Sequence, residues 1–233
     1  MKHFDVVTRL KGIKPSGIRR LFSLAQTMRD AIHMGLGEPD FTPPSHVLEE
    51  AKNALDEGKT HYAPTNGIPE LREALAKKAK ADYGLSYDPN DEILVTVGGT
   101  QAIFLALLSL VNPSDEVLIP DPGFVCYEPT VLMTNGVPVS TPVLEQNDFR
   151  VDKDLVMSQI TDKSRVLVIN SPHNPAGSVL SYDDLSGLAK LAVERDLVVI
   201  SDEVYEKITY DGARHHCLAT FHGMQERTLV IGS

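Results

Sequence analysis

The sequence has 233 residues, a formal net charge of −10 and 42% hydrophobic residues. That hydrophobic share can bury a sizeable core in one large domain, or in one domain with a piece of another. The acidic balance argues against nucleic acid or an anionic membrane as the main partner, though backbone amides can still hold an anionic ligand locally.

The N-terminal MKHFDVVTRLKG has no apolar h-region and does not read as a signal peptide. Over residues 16–32, Ile18, Leu21, Phe22, Ala25, Met28 and Ile32 recur at a helical period, with Ser16 as the expected N-cap. GLGEPDFTPP, dense in Gly and Pro, is a loop. Ser45 is expected to cap a helix bearing Val47, Leu48, Ala51 and Leu55, which Gly58 ends. A second helix is expected from about Ile68 to Tyr83, closed by Gly84.

EILVTV (92–97) is a β-rich run followed by GGT and the helical QAIFLALLSLV. Ala102 to Val111, the longest apolar stretch, is too short to cross a bilayer. EVLIP (116–120) reads as a buried strand before DPGF, and RVLVIN (165–170) as another before SPHNPAG. A helix follows through Leu185, Leu188, Leu191 and Ala192, then the strands DLVVIS (196–201) and TLVIGS (228–233). Apolar strands separated by helices imply βαβ crossovers, so the fold class is α/β with a mostly parallel sheet and helices on both faces. No internal repeat, low-complexity tract or linker interrupts residues 45–233. The two cysteines, Cys126 and Cys217, make no C-x-x-C pair and suggest a reducing, cytoplasmic setting.

In open α/β sheets ligands gather beyond the carboxyl ends of the strands. Those positions hold Gly98-Gly99-Thr100, Asp121-Pro122-Gly123-Phe124, Ser171-Pro172-His173-Asn174, Asp202-Glu203-Val204-Tyr205 and Ser233. An amide-rich turn opening a helix suits a phosphate, and a carboxylate suits a cationic ring nitrogen. Together with an aromatic, an amide and a phenol, they fit a phosphorylated aromatic cofactor with a basic nitrogen, pyridoxal 5'-phosphate (PLP) being the obvious one.

The blocks GEPDF, HYAPTNGIPELREA, TVGGTQAI, PDPGFVCYEP, NSPHNPAG and SDEVYE occur in an order that resembles class I/II aminotransferases of fold type I, in particular the aspartate/aromatic subgroup. The resemblance covers residues 16 to 233 and implies the following roles. Gly99 and Thr100, with Gln101 beside them, and Ser233 hold the phosphate. Phe124 stacks on the ring, Asn174 and Tyr205 bond its phenolic oxygen, and Asp202 pairs with its protonated nitrogen. Gly37 and Asn174 lie by the substrate, and Tyr62 reaches the phosphate of the neighbouring subunit in a homodimer. Asp202 and Tyr205 count as catalytic. Residues 1–35 belong to a small domain or dimer arm and 36–233 to the large PLP-binding domain. In the family, the lysine that carries the cofactor as a Schiff base lies a few residues beyond the strand ending in Ser233, so the chain reads as a C-terminally truncated piece, inactive alone.

The expected activity is amino transfer from an L-amino acid to a 2-oxo acid such as 2-oxoglutarate. A C–S β-lyase or an aminocyclopropane-carboxylate-synthase-like enzyme is the alternative on the same fold, and an effector-binding module of that fold the non-enzymatic one. No metal is expected: His215, His216 and Cys217 are adjacent, without usual ligand spacing, and read as a solvated loop. His173 reads as a loop residue near the site and Lys207 as an exposed lysine. Gly58-Lys59-Thr60 lacks the first glycine of a P-loop, Asn53 standing in its place.

Overall fold

The structure, a computed structural model, describes residues 7–13, 17, 28, 37 and 41–233. The expected helix over 16–32 with its Ser16 cap, and part of the loop after it, lie outside the described residues apart from Gly17, Met28 and Gly37. The described residues form two compact units. One joins those up to Ile13 with Pro69–Ser233, and the other comprises those from 14 to 68.

In the smaller unit, α2 spans Ser45–Asp56, α1 being the short Thr8–Lys11 helix of the larger one. Ser45 is not the cap but the first helical residue. Pro44 occupies the cap position at φ −54° and ψ 145°, a conformation its ring favours, and makes no side-chain cap bond. The stop at Gly58 is as expected: its φ is +72°, and Lys59 N donates to Ala54 O at 2.9 Å. The helix buries no residue, and Val47, Leu48 and Leu55 stay exposed.

The larger unit contains helices α3 (Pro69–Tyr83), α4 (Gly98–Leu110), α5 (Tyr127–Met133), α6 (Lys153–Gln159) and α7 (Tyr182–Glu194). Its strands are β1 (Glu116–Asp121), β2 (Val137–Pro142), β3 (Ser164–Asn170), β4 (Val198–Asp202) and β5 (Thr228–Ile231). They form one sheet in the order β2-β1-β3-β4-β5, and every pairing is parallel. The α/β fold expected from the sequence is therefore present.

Successive strand residues face opposite sides, and the core divides accordingly. Leu118, Leu167, Ile169 and Val199 pack with Val156 of α6 and with Leu185, Leu188, Leu191 and Ala192 of α7. Val117, Ile119, Val166, Val168 and Ile200 pack on the other face with Ile103 and Leu107 of α4 and Tyr127 and Val131 of α5. Each fully buried aliphatic side chain contributes roughly 1.5–3 kcal/mol. The register puts Asn170 beside Asp202 and Asp202 beside Ile231, so three strands finish at one level.

Three sequence readings are corrected. EILVTV forms no strand: residues 93–96 carry no regular assignment, and Leu94 and Val97 are 55% and 88% exposed. A strand needs a ladder partner, and no described strand pairs with it. Conversely β2 had no local signal, because Pro138 and Pro142 fall within it; it is an edge strand, where proline is tolerated. Finally, His215 and Cys217 are not solvated. The His215 side chain is 7% and Cys217 2% exposed, because the loop folds back onto Tyr83 and Leu85.

Candidate active site

A cleft of about 440 Å³ opens beyond the carboxyl ends of β3, β4 and β5, lined among others by Gly99, Thr100, Phe124, Asn174, Asp202, Tyr205 and Ser233. Seven residues picked out along the sequence thus converge on one space. Each arrives by a local rule. Gly98 takes φ +75°, the left-handed turn that lets the chain enter α4 directly. Gly123 must be glycine for another reason: a Cβ there would lie 2.2 Å from the Pro120 carbonyl oxygen, which frees the turn that presents Phe124.

No side chain caps the start of α4, so its first-turn amides and the positive end of its dipole are free to meet an anion, with the Thr100 hydroxyl beside them. Gln101 is not among the cleft-lining residues. Its side-chain oxygen accepts a hydrogen bond from Val97 N, tying the turn back on itself.

Asp202, 4% exposed, lines the same cleft. Tyr127 Oη donates to its Oδ2 at 2.6 Å, and Val204 N donates to Oδ1 at the long distance of 3.4 Å. Burial raises the carboxyl pKa above its ordinary range, and these two donors only partly offset it. Oδ1 keeps acceptor capacity toward a cationic donor in the cleft. Asn170, 1% exposed, braces the corner: its Nδ2 donates to Asp202 O at 2.9 Å and its Oδ1 accepts from Asn174 N at 2.7 Å. Asn174 Nδ2 in turn donates to Tyr205 Oη at 3.1 Å. Phe124 stands edge-on to Tyr127 at 5.6 Å and 82°.

Tyr127 and Asn170 were not singled out in the sequence. Tyr127 lies in the PDPGFVCYEP block, but its partner is 75 residues away, and only the sheet brings them together. Of the other expected site residues, Gly37 and Tyr62 belong to the smaller unit; Tyr62 is fully exposed. His173 is buried in the SPHNPAG turn and does not line the cleft; burial lowers its pKa, so it stays neutral. Lys207 is 68% exposed and pairs with Asp82 at 3.0 Å. Among the described residues no lysine lines the cleft.

An uncapped helix start, a buried carboxylate and an amide–phenol pair meet at the carboxyl edge of the parallel sheet of this α/β protein, a set of groups that suits a phosphorylated, nitrogen-containing ring. Comparison with known proteins narrows this. Residues 29–233 match the family "Aminotransferase class I and II", and the chain belongs to it. It is 49% identical over 223 residues to the aspartate aminotransferase of Pyrococcus abyssi, covering 96% of this chain and 57% of that protein. Aromatic-amino-acid aminotransferase 2 of Thermococcus litoralis is 48% identical with the same coverage. The aspartate aminotransferase of Thermus thermophilus, solved with maleate, superposes with a TM-score of 0.93 at 40% identity over 99% of this chain and 60% of that one. The chain thus spans a little over half the length of these relatives.

Enzymes of this family use PLP. The cleft offers what such a cofactor needs: uncapped helix-start amides with the Thr100 and Ser233 hydroxyls, and a buried carboxylate whose Oδ1 has only a long 3.4 Å donor.

Proposed function

We propose that this chain forms the cofactor-binding cleft of a PLP-dependent aminotransferase that moves an amino group from an L-amino acid of the aspartate or aromatic type to a 2-oxo acid such as 2-oxoglutarate. The observation that carries the reading is Asp202, buried at the end of β4, held by the Tyr127 hydroxyl and lining the cleft. PLP, when bound, supplies a pyridinium ring that withdraws electrons from a substrate's α-carbon.

Asp202 holds a proton at the ring nitrogen, and Tyr127 holds Asp202. The Asn174 amide and the Tyr205 hydroxyl, already coupled, bind the phenolic oxygen and orient the ring, and Phe124 covers its face. Gly99 and Thr100, with Gln101 stabilising their turn, and Ser233 bind the phosphate. Gly37 and Asn174 position the substrate carboxylate. Tyr62, fully exposed in this chain, extends to the phosphate of a second subunit in a homodimer. Residues 36–233 then serve as the large cofactor-binding domain and 1–35 as part of the small domain or dimer arm. Among the described residues no helix is long and apolar enough to cross a membrane, and a cytoplasmic enzyme is the reading that fits.

The test is a two-substrate assay on the whole product of the gene. Aspartate or tyrosine with 2-oxoglutarate should yield glutamate and the matching 2-oxo acid, with parallel lines in double-reciprocal plots for the ping-pong sequence. Pyruvate and ammonia as products would favour a lyase, and failure to bind PLP would overturn the reading altogether.

A further inference from the structure

The segment that leaves β4 has two outlooks. Asp202, Val204 and Tyr205 line the cleft, whereas Glu203 and Glu206 do not, and they converge instead on His215. We propose that Glu203, Glu206 and His215 form a binding site for a borderline-soft divalent cation of the zinc(II) type, separate from the cofactor cleft.

The argument starts from two enclosed atoms. Glu203 Oε2 and His215 Nε2 are buried and make no hydrogen bond, although they lie 3.3 Å apart and their side chains are only 4% and 7% exposed. In the Nδ1–H tautomer the imidazole turns a lone pair toward a carboxylate lone pair across that 3.3 Å gap. Something positive belongs between them. A shared proton is one filler and a metal ion the other.

Three features favour the ion. Donors about 2.0–2.2 Å from a tetrahedral zinc are spaced about 3.3 Å from one another, which matches the Glu203–His215 separation. A third donor is in place, since the ligand atoms of Glu203, Glu206 and His215 all lie within 4.8 Å of one another. The supporting shell is built as well. Ser201 Oγ donates to Glu203 Oε1 at 2.8 Å, and the Leu218 amide and Cys217 thiol also hold that carboxylate. The Tyr83 ring lies 5.9 Å from the imidazole, tilted at 59°, and fixes its plane.

Glu206, with 16% of its side chain exposed, is the member of the set that solvent reaches most, and a water from that side would be the fourth ligand. Lys78 now pairs with Glu206, but it also lies 3.1 Å from Asp82 and keeps that partner when Glu206 turns to the ion. A bound ion would clip residues 203, 206 and 215 together, fastening the segment that follows Asp202 and carries Tyr205.

The experiment titrates the chelator-stripped 233-residue chain with zinc chloride by calorimetry and with cobalt(II) by visible absorption. One equivalent should bind with a micromolar or tighter dissociation constant, and cobalt should show the strong bands of tetrahedral coordination. His215→Ala and Glu206→Gln should each weaken binding by at least about tenfold, while His216→Ala and His222→Ala leave it unchanged. Should His215→Ala fail to fold by circular dichroism, Glu206→Gln, changed on the open side of the site, decides alone. No saturable binding would show that a shared proton fills the gap, and binding that survives Glu206→Gln in full would show that the ion sits elsewhere; either result would overturn the site.

Discussion

Asp184 and Asp202 mark two regions of the larger unit that treat a carboxylate in opposite ways. Asp184 sits in the first turn of α7 amid donors: Ser181 N at 2.9 Å, Ser181 Oγ at 2.7 Å and Arg150 Nη1 at 2.9 Å. Partial burial works to raise its pKa, but the Ser181 hydroxyl and amide and the Arg150 guanidinium outweigh it, and the net direction is down. Asp202 is nearly inaccessible, has one short donor, and its pKa moves up. The first region spends its acid on the fold: a capping box that satisfies the start of a helix. The second leaves an acid under-supplied with donors, which costs stability in the free protein and reserves an acceptor for a ligand. Two aspartates of identical chemistry are therefore told apart by how completely the protein satisfies them.

The largest expected effect breaks the contrast outright. Asp202→Asn keeps the shape but removes the charge that, on the proposed function, would hold a proton at the ring nitrogen. In the complete enzyme kcat should fall by more than the ~10²–10³ typical of losing one preorganised donor, with PLP still bound by absorbance. Activity within tenfold of wild type would remove Asp202 from its role. A smaller effect sharpens the contrast. Tyr127→Phe deletes the hydroxyl on Asp202 Oδ2, leaving a buried acceptor unsatisfied at a cost of about 1–3 kcal/mol. We expect kcat to fall about tenfold, the factor that ~1.4 kcal/mol carries, together with a lower urea midpoint. An unchanged kcat would reduce Tyr127 to a packing residue.

Much of this was legible in the sequence because it is periodic or local. The continuous apolar runs of RVLVIN and DLVVIS, with a helix between, announce a buried parallel pair, and Asn174 and Asp202 lie beyond their carboxyl ends. What escaped depends on distant partners. EILVTV has β composition but, among the described residues, no strand to pair with, and β2 has a neighbour but is masked by two prolines. Tyr127 looks like any helix-start aromatic until β4 brings Asp202 to it. His215, followed by His216 and Cys217, reads in the sequence as part of a solvated loop. Its burial arises from packing on Tyr83, whose position is set by a helix more than a hundred residues earlier.

The smallest expected effect isolates the structural half of the comparison. Asp184→Asn weakens the Arg150 bond and the acceptor for Ser181, and loss of a capping contact of this kind costs about 0.5–2 kcal/mol. The pH dependence distinguishes a charge effect from a packing effect. Because the folded-state pKa of Asp184 lies below its unfolded value, the folded state releases this proton more readily. Its contribution is therefore fully present above the ordinary aspartate pKa and is lost as pH falls through the lowered folded value. Urea midpoints of wild type and Asp184→Asn should differ at neutral pH and converge in acid. Asp202→Asn should behave with the opposite sign. The raised pKa of Asp202 makes the ionised form a burden in the ligand-free protein, so the variant should gain on wild type as pH rises through that folded value. A gap between wild type and Asp184→Asn that stayed constant across the acid range would mean that α7 relies on the shape of the cap alone. The two carboxylates would then differ in burial but not in electrostatic purpose.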